Sequence, residues 1–430
     1  MKIFFSGIGG AGIGSLALIA KQAGYQVAGS DKQASSFTKL LEEKGVNSIK
    51  TGVSDDSFIK TVHASAPIDW LVYSSAVMKE SPDHPEFDFC RANGIKMSKR
   101  DDLINQILDE KNLIMIAIAG THGKTTTTAM TIWLFKQLGI PVSYSVGAKL
   151  SFGDPGEYVE SSDYFIYEAD EYDHNFLAFH PALSIIPGID WDHADVYSTR
   201  EEYYQAFRDF LAQSQQKVMW QSDVDSLKIA IDDSYQVLDE ASPETANFDL
   251  AGLVNRQNAY QVASAIKKLI HKPLEELTAY LNKFPGVARR FEKIAENIYT
   301  DYAHTPEKIR GALQLAHEVA GEKVVVIYEG LHNTRQHFIK EDLKHLFDEV
   351  KKLYIVPSYL AREDESLEML TPEKLIGLTS KPEKAQAKEL DEDLRQTIQD
   401  HQKSGDLILC LTAGGGGSLD EWLRQNFEKP

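Results

Sequence analysis

Features that mark several other classes of protein are scarce in this sequence. Its 430 residues include only two cysteines, Cys90 and Cys410, which are far apart and lack metal-site spacing, so a reducing compartment and no disulfide framework are predicted. No run of about 18 apolar residues occurs, and glycines interrupt the apolar start "MKIFFSGIGGAGIG", which argues against a signal peptide. We therefore expect a cytoplasmic protein with no membrane-inserted segment.

Positive charge is also scarce. Lysine and arginine total 45 against 64 acidic residues, and the formal net charge is −19. Such a chain repels a nucleic-acid backbone or an anionic membrane on average, so neither is expected as a partner. An anionic ligand would have to be bound by groups gathered locally around it.

Length and pattern predict an α/β fold with several domains. About three domains are expected for a chain of 430 residues. Apolar runs alternate with helical patterns in three successive series, which begin at "KIFFSG", "NLIMIAIAG" and "NIYTDYA". This alternation is typical of parallel sheets covered by helices. Residues 215–255 lack a clear pattern and are expected to form a surface edge or excursion.

The segment "AIAGTHGKTTTTAM" predicts a phosphate-binding loop. It follows an apolar run and precedes a helical pattern, so a glycine-rich turn would direct backbone N–H groups and the positive end of a helix toward an anion. Lys124 would add a positive charge, and Thr125 would bind Mg²⁺. The general pattern has glycine where this chain has Ile118, so the match to that template is partial.

The N-terminal "GIGGAGIG" predicts a second diphosphate-binding turn. Gly7, Gly9 and Gly12 have the spacing of a dinucleotide fingerprint, and Asp31 ends the next predicted strand. Alone, this pattern would indicate an NAD-dependent dehydrogenase. A glycine turn also suits the diphosphate of a UDP-sugar, and a dehydrogenase leaves the phosphate loop unexplained.

Carboxylates follow the next two predicted strands. Glu168, Asp170, Glu171 and Asp173 in "YEADEYDHNF" would be costly to ionise together without a cation, which favours Mg²⁺ over a solvated acidic turn. His193 in "DWDHADVY" would lie close enough to be a second metal ligand, although a lone histidine is more often structural.

Two late segments carry further polar candidates. "GVARRFE" contains Arg289 and Arg290, and "TDYAHTP" contains Asp301 and His304 at a predicted strand end. A guanidinium stabilises charge on a transferred phosphoryl group. The plainer interpretation is a surface arginine pair.

In this order the segments resemble the Mur ligase family, the ATP-dependent ligases that build the peptide of bacterial cell-wall precursors. The resemblance rests on "GTHGKTTTT", "EADEYD", "DHADVY", "RQNA", "ARRFE" and "DYAHTP" and runs from residue 3 to about 420. It implies an N-terminal Rossmann-like domain for the UDP-sugar, a central P-loop ATPase-like domain with a mostly parallel sheet, and a C-terminal Rossmann-like domain that brings the amino acid. The implied domain boundaries are 1–107, 108–293 and 294–430.

The resemblance also implies a reaction. ATP and Mg²⁺ would activate the carboxylate of UDP-N-acetylmuramate as an acyl phosphate, which L-alanine would attack, in a monomer or homodimer. The opening glycines with "AGSD" and "YSSAV" are similar to the branch that adds L-alanine. The recycling branch, which attaches L-alanyl-γ-D-glutamyl-diaminopimelate, is an alternative. A non-catalytic nucleotide-dependent regulator and another amide ligase on the same scaffold are further alternatives.

Matching the motifs residue by residue implies a set of site residues. Lys124, His193 and Arg290 would be catalytic. The ATP site would comprise Gly120, Thr121, Gly123, Lys124, Thr125, Thr126, Asn258, Arg290, Asp301 and His304. The UDP-sugar site would comprise Gly9, Gly10, Ala11, Gly12, Asp31, Ser74 and Ser75. Mg²⁺ would be held by Thr125, Glu168 and His193, and the amino-acid acceptor by Arg335 and His332.

Several positions depart from the family pattern. Pro187 and Gly188 replace the usual Thr-Asn before the "DH" segment, and His332 stands where an arginine is expected, so that only Arg335 remains there. The lysine of later-step ligases, which is usually carbamylated, is replaced by Phe207. The "NT" of "LHNTR" is similar to the recycling branch.

Overall fold

The computed structural model describes residues 1–192, 196–360, 363–364, 366–412 and 417–428. The chain forms two compact units, one containing Met1–Phe248 and Asn258–Pro285 and the other Asp249–Gln257 and Gly286–Pro430. Among the described residues, no helix is both long enough and apolar enough to cross a bilayer.

The first sheet has five parallel strands in the order β3-β2-β1-β4-β5. The strands are β1 (Lys2–Ser6), β2 (Gln26–Asp31), β3 (Ile49–Thr51), β4 (Trp70–Tyr73) and β5 (Lys96–Lys99). The helices are α1 (Ala11–Gln22), α2 (Ser36–Glu43), α3 (Ser57–Ser65), α4 (Ser75–Glu80), α5 (Pro85–Ala92) and α6 (Arg100–Lys111). Ile3, Phe4 and Phe5 are completely buried, because helices cover both faces of the central strand β1.

The same unit contains a second sheet, in which seven strands take the order β12-β11-β10-β6-β9-β7-β8. Its strands are β6 (Ile114–Ile118), β7 (Ser143–Ser145), β8 (Gly156–Glu157), β9 (Tyr164–Glu168), β10 (Leu183–Ile186), β11 (Gln216–Trp220) and β12 (Tyr235–Leu238). The helices are α7 (Lys124–Gln137), α8 (Arg200–Gln213), α9 (Gln221–Leu227), α10 (Leu253–Ile270) and α11 (Leu274–Leu281). The first residues of α10, up to Gln257, are assigned to the second unit. The short β8 pairs antiparallel with β7. The weakly patterned residues 215–255 supply β11, α9 and the edge strand β12.

The second unit contains a six-stranded sheet in the order β13-β14-β18-β15-β16-β17. The strands are β13 (Glu292–Ala295), β14 (Ile298–Asp301), β15 (Val324–Leu331), β16 (Lys352–Tyr359), β17 (Ala385–Ala387) and β18 (Leu407–Leu411). The helices are α12 (Pro306–Ala320), α13 (Asn333–Ile339), α14 (Pro372–Leu378), α15 (Glu392–Lys403) and α16 (Leu419–Phe427). Within this sheet, β13 is the one described strand that pairs antiparallel. The three sheets confirm the predicted α/β class.

Aromatic rings fill the position where the resemblance notes a missing lysine. Phe207 on α8 is completely buried. Its ring centroid lies 5.1 Å from those of both Phe176 and Tyr203. Phe176 also stacks on Phe210 at 4.8 Å. A lysine at this position would place its amine among these packed rings.

We predict that Phe207→Lys destabilises the fold by about 3 kcal/mol or more, because it removes buried aromatic packing and buries an unpaired ammonium. Gln205→Lys places the same side chain at an exposed position of the same helix and is the matched control. Urea unfolding followed by tryptophan fluorescence measures both variants. Equal unfolding midpoints for the two would contradict the prediction.

Candidate functional site

The predicted phosphate loop lies between β6 and α7. Gly123 has φ 76°, a left-handed conformation that favours glycine. A β-carbon on Gly123 would lie 2.7 Å from Cβ of Pro187, so the loop also needs glycine for space. The amide of Thr121 donates to the carbonyl of Gly188 at 2.8 Å. Residues 187 and 188 thus support the loop directly.

Gly188, which departs from the family pattern, lies against the side chain of His122 in the phosphate loop. A β-carbon on Gly188 would lie 2.0 Å from Cε1 of His122. The imidazole therefore occupies the space that a side chain at position 188 would take. Glycine at position 188 thus leaves the space that His122 fills.

Lys124 begins α7 and makes a buried ion pair. Its Nζ lies 2.6 Å from Oε2 of Glu171 and donates to the carbonyl of Gly120 at 2.5 Å. Glu171 is only 1% exposed. Burial alone would lower the pKa of Lys124, but the facing carboxylates, chiefly that of Glu171, raise it above its usual range. The amine therefore stays protonated at the phosphate loop.

Each of the four carboxylates in the acidic segment, residues 168–173, has its own partner. Thr125 donates to Glu168 at 2.7 Å, and Arg100 donates to Asp170 at 3.3 Å. The remaining two, Glu171 and Asp173, pair with Lys124 and with Lys99. Three cations therefore compensate this segment, and crowding of like charge no longer argues for a metal.

A donor pair suitable for Mg²⁺ nevertheless lies beside the loop. The Thr125 hydroxyl and Glu168 carboxylate are in contact, and hydroxyl and carboxylate oxygens suit this cation, which needs few protein ligands. No group of three or more His, Cys, Asp and Glu side chains in the described part of the chain is arranged to hold a metal. His193, expected to be catalytic and a metal ligand, lies outside the described residues.

Two other residues expected at the ATP site also lie near the loop. Thr126 follows Thr125 in the first turn of α7 and is largely buried. Asn258 on α10 is 2% exposed, and its Oδ1 would be 3.3 Å from a β-carbon on Gly123. The structure therefore brings Asn258 next to the phosphate loop.

The residues expected to bind the UDP-sugar converge at the ends of β1, β2 and β4. Asp31 accepts from the amide of Gly9 at 2.8 Å, while the amide of Gly10 donates to the carbonyl of Gly7. The hydroxyl of Ser74 caps α4, where Ser75 is the first residue. Ala11 and Gly12 lie in the first turn of α1.

A buried carboxyl beneath this turn was missed by sequence reasoning. Glu86 is completely buried and accepts from the hydroxyls of Ser6 and Ser30, at 2.7 and 2.5 Å. Burial raises its pKa. It joins the ends of β1 and β2, which carry the glycine turn and Asp31. The only local signal was a proline-started helix, which says nothing of this role.

In the second unit, Arg289 and Arg290 contact Tyr302 instead of forming a bare surface pair. Their guanidinium carbons lie 4.6 and 5.5 Å from its ring centroid. The neighbouring Asp301 accepts from the amide of Phe291 at 2.8 Å. Burial raises the pKa of Asp301 to about 6, against the opposing effect of Arg290. His304 is buried in the same segment.

His332 and Arg335 share the start of α13. His332 has φ 55° and precedes the helix, and its Nδ1 lies 3.5 Å from Oε1 of Glu363. The second oxygen of Glu363 accepts from the amide of Thr334 at 2.9 Å. Glu363 was not predicted from the sequence, where nothing links it to a helix thirty residues earlier.

Comparisons with known proteins cover nearly the whole chain. Residues 2–112 match the Mur ligase family catalytic domain, residues 118–269 the Mur ligase middle domain, and residues 289–414 the Mur ligase glutamate ligase domain. The UDP-N-acetylmuramate–L-alanine ligase of Christiangramia forsetii is 30% identical over 98% of this chain and 96% of its own.

Solved structures support the same fold. The UDP-N-acetylmuramate-alanine ligase of Thermotoga maritima is similar with a TM-score of 0.75 and 23% identity, covering 99% of this chain and 98% of its own. A murein peptide ligase from Psychrobacter arcticus has a TM-score of 0.58 and 23% identity, covering 96% and 95%.

We predict that Gly188→Ala weakens ATP binding by about tenfold or more, because the new methyl displaces His122 and distorts the loop. Fluorescent nucleotide titration measures the effect. Gly377→Ala, where a β-carbon meets nothing within 4 Å, is the control. The double variant Gly188→Ala/His122→Ala should recover part of the affinity. Unchanged binding by Gly188→Ala alone would refute the steric explanation.

We also predict that Asp301→Asn raises thermal stability at about pH 8 more than at about pH 5. The pKa of Asp301 rises from 3.8 to about 6 on folding, so the folded state holds more protons in that window and loses stability as pH rises through it. Asparagine resembles the protonated acid. Thermal unfolding without nucleotide tests this, with the exposed Asp342→Asn as control. A pH-independent difference would contradict the assignment.

Proposed function

The chain belongs to the Mur ligase family, and from this premise we propose that it joins L-alanine to the lactyl carboxylate of UDP-N-acetylmuramate with hydrolysis of ATP to ADP and phosphate. The observation that carries the proposal is the arrangement of Lys124, Thr125 and the acidic segment around one phosphate loop. This arrangement suits phosphoryl transfer and gives a nicotinamide cofactor no role. The product is a precursor of peptidoglycan.

The reaction requires activation of a poor acyl donor. In the first step the carboxylate attacks the γ-phosphorus of ATP, and the bond to ADP breaks, which leaves an acyl phosphate. In the second step the uncharged amine of alanine attacks the acyl carbon, phosphate leaves and the nitrogen loses a proton. Stabilisation of charge on the transferred group dominates such catalysis.

The loop residues Gly120, Thr121, Gly123 and Thr126 would surround the phosphates of ATP. Lys124 would exchange the Gly120 carbonyl for phosphate oxygens, and it is protonated and positioned by Glu171 to do so. Arg290 would neutralise charge on the γ-phosphate. In this assignment Asn258 approaches the adenine, and Asp301 and His304 clamp the nucleotide.

Thr125 and Glu168 fit a bound Mg²⁺, with His193 proposed for a second ion. A Mg²⁺ ion held by these residues would supply positive charge for the phosphate oxygens of ATP. Gly147 donates its amide to Glu168 at 2.7 Å, which fixes the carboxylate next to Thr125.

The other two substrates would meet the remaining site residues. The sugar nucleotide would lie on Gly9, Gly10, Ala11 and Gly12, with Asp31, Ser74 and Ser75 around its nucleoside. Arg335 would bind the carboxylate of the amino acid, beside His332. We retain 1–107, 108–293 and 294–430 as the proposed domain boundaries.

One observation favours a second acceptor. His332 replaces an expected arginine, and Glu363 faces it, so the start of α13 offers an imidazole and a carboxylate near the proposed acceptor site. The recycling tripeptide, which carries additional amine and carboxylate groups, would find more partners there than alanine does.

Phosphate release with ATP, Mg²⁺ and UDP-N-acetylmuramate separates the acceptors. We expect release with L-alanine, and a fall of at least about a hundredfold for Lys124→Met, because the loop cation is lost. Lys136→Met is the matched control. Lys136 lies farther along α7 and pairs with Glu157, which is in β8. Release only with the tripeptide would select the recycling reaction, and none with either would overturn the muramate assignment.

A further inference from the structure

Arg100 occupies space created by a glycine of the N-terminal turn. It is the first residue of α6, and a β-carbon on Gly12 would lie 2.3 Å from its Nη1 and 3.5 Å from its Cζ. The guanidinium therefore rests against the first turn of α1. Position 12 needs glycine because a side chain there would displace this group.

Few of the donors of Arg100 are used. A guanidinium has five N–H groups, yet in the described part of the chain the side chain donates one long hydrogen bond, from Nη2 to Asp170 at 3.3 Å. The carboxylate of Asp101 is 3.5 Å from Nε. Nη1, the nitrogen beside Gly12, donates no hydrogen bond to any described residue. The side chain is only 20% exposed.

The backbone beside Nη1 also has donors available. The amides of Gly9 and Gly10 are used by Asp31 and by the carbonyl of Gly7. Ala11 and Gly12 lie in the first turn of α1, where amides have no acceptor within a helix. Their N–H groups and the positive helix end favour an anion. Nη1 therefore lies beside the first turn of α1, which carries these two amides.

Negative charge around the glycine turn favours a cation beside a bound diphosphate. A diphosphate on the turn would approach the carboxylate of Asp31 in a chain with a formal net charge of −19. Lys32, which follows Asp31 in the sequence, is 70% exposed and pairs with Glu80. Arg100, which is largely buried beside the turn, can offset the charge of both the ligand and Asp31.

We propose that Arg100 binds the diphosphate of the sugar nucleotide through Nη1, together with the amides of Ala11 and Gly12, while Asp170 positions it through Nη2. This inference rests on the proposed function and adds to it a binding residue outside the glycine turn. The planar fork of arginine can serve a phosphate and a carboxylate at once. Because Asp170 lies in the acidic segment that holds Lys124, Arg100 joins the sugar-nucleotide site to the phosphate loop.

Calorimetric titration with UDP, UDP-N-acetylglucosamine and UDP-N-acetylmuramate tests the assignment. Only the diphosphate and uridine are common to all three ligands. Arg100→Gln should weaken all three by about ten- to a hundredfold, the usual effect of losing a charge-assisted hydrogen bond. Arg91→Gln removes an arginine that is 52% exposed in the same domain and should change none of them.

Two outcomes would overturn the inference. If Arg100→Gln weakened the binding of UDP-N-acetylmuramate alone, Arg100 would be assigned to the lactyl carboxylate. If none of the three affinities changed, Arg100 would have only a structural role. If the parent protein binds none of the three ligands, the proposed function fails instead.

The double variant Arg100→Gln/Asp170→Asn guards against misfolding, because it removes the carboxylate that Arg100→Gln leaves without its partner. It should bind the three ligands as weakly as Arg100→Gln. Recovery of parental affinity in the double variant would show that the single substitution acted through the fold, and would overturn direct binding.

Discussion

The buried ion pair between Lys124 and Glu171 is the interaction on which the site depends. A lysine at the start of a helix meets that helix's positive end, and burial adds to the cost of its charge. Glu171, itself 1% exposed, offsets that cost. Removal of either partner alone is costly, because it leaves a buried charge without its counterpart. The pair therefore fixes the acidic segment against the phosphate loop.

The other carboxylates of the segment extend this pairing. Asp170 and Asp173 pair with Arg100 and Lys99 at the start of α6, beside the N-terminal glycine turn. Glu168 alone takes a neutral partner, Thr125. One short segment thus connects the structure that would bind the sugar nucleotide with the structure that would bind ATP. A ligase that transfers a phosphoryl group between these two substrates needs both sites held in a fixed relative position. Small errors in the placement of the reacting groups lower the reaction rate strongly.

The sequence predicted the main alternation of strands and helices and both glycine turns, because those signals are local and periodic. It did not predict β11, α9 and β12, which lie in the stretch that lacks a clear pattern. It did not predict charge pairing, since Arg100 and Asp170 are 70 residues apart and no pattern relates them. From the sequence alone, four neighbouring carboxylates favour a bound cation, whereas the structure shows protein cations paired with three of them. The buried Glu86 and the helix-capping Glu363 were missed for the same reason. Two departures from the family pattern have an explanation only in the folded structure. Gly188 leaves space for His122, and Phe207 completes an aromatic cluster.

The most direct test of the account is to follow oxygen from the sugar nucleotide into phosphate. UDP-N-acetylmuramate with a heavy oxygen isotope in its lactyl carboxylate would be turned over with ATP, Mg²⁺ and L-alanine. Activation as an acyl phosphate transfers one carboxylate oxygen to the phosphate released, so the account predicts one labelled oxygen per phosphate, in step with amide formation. Unlabelled phosphate would mean that water attacks ATP and would contradict the proposed ligase.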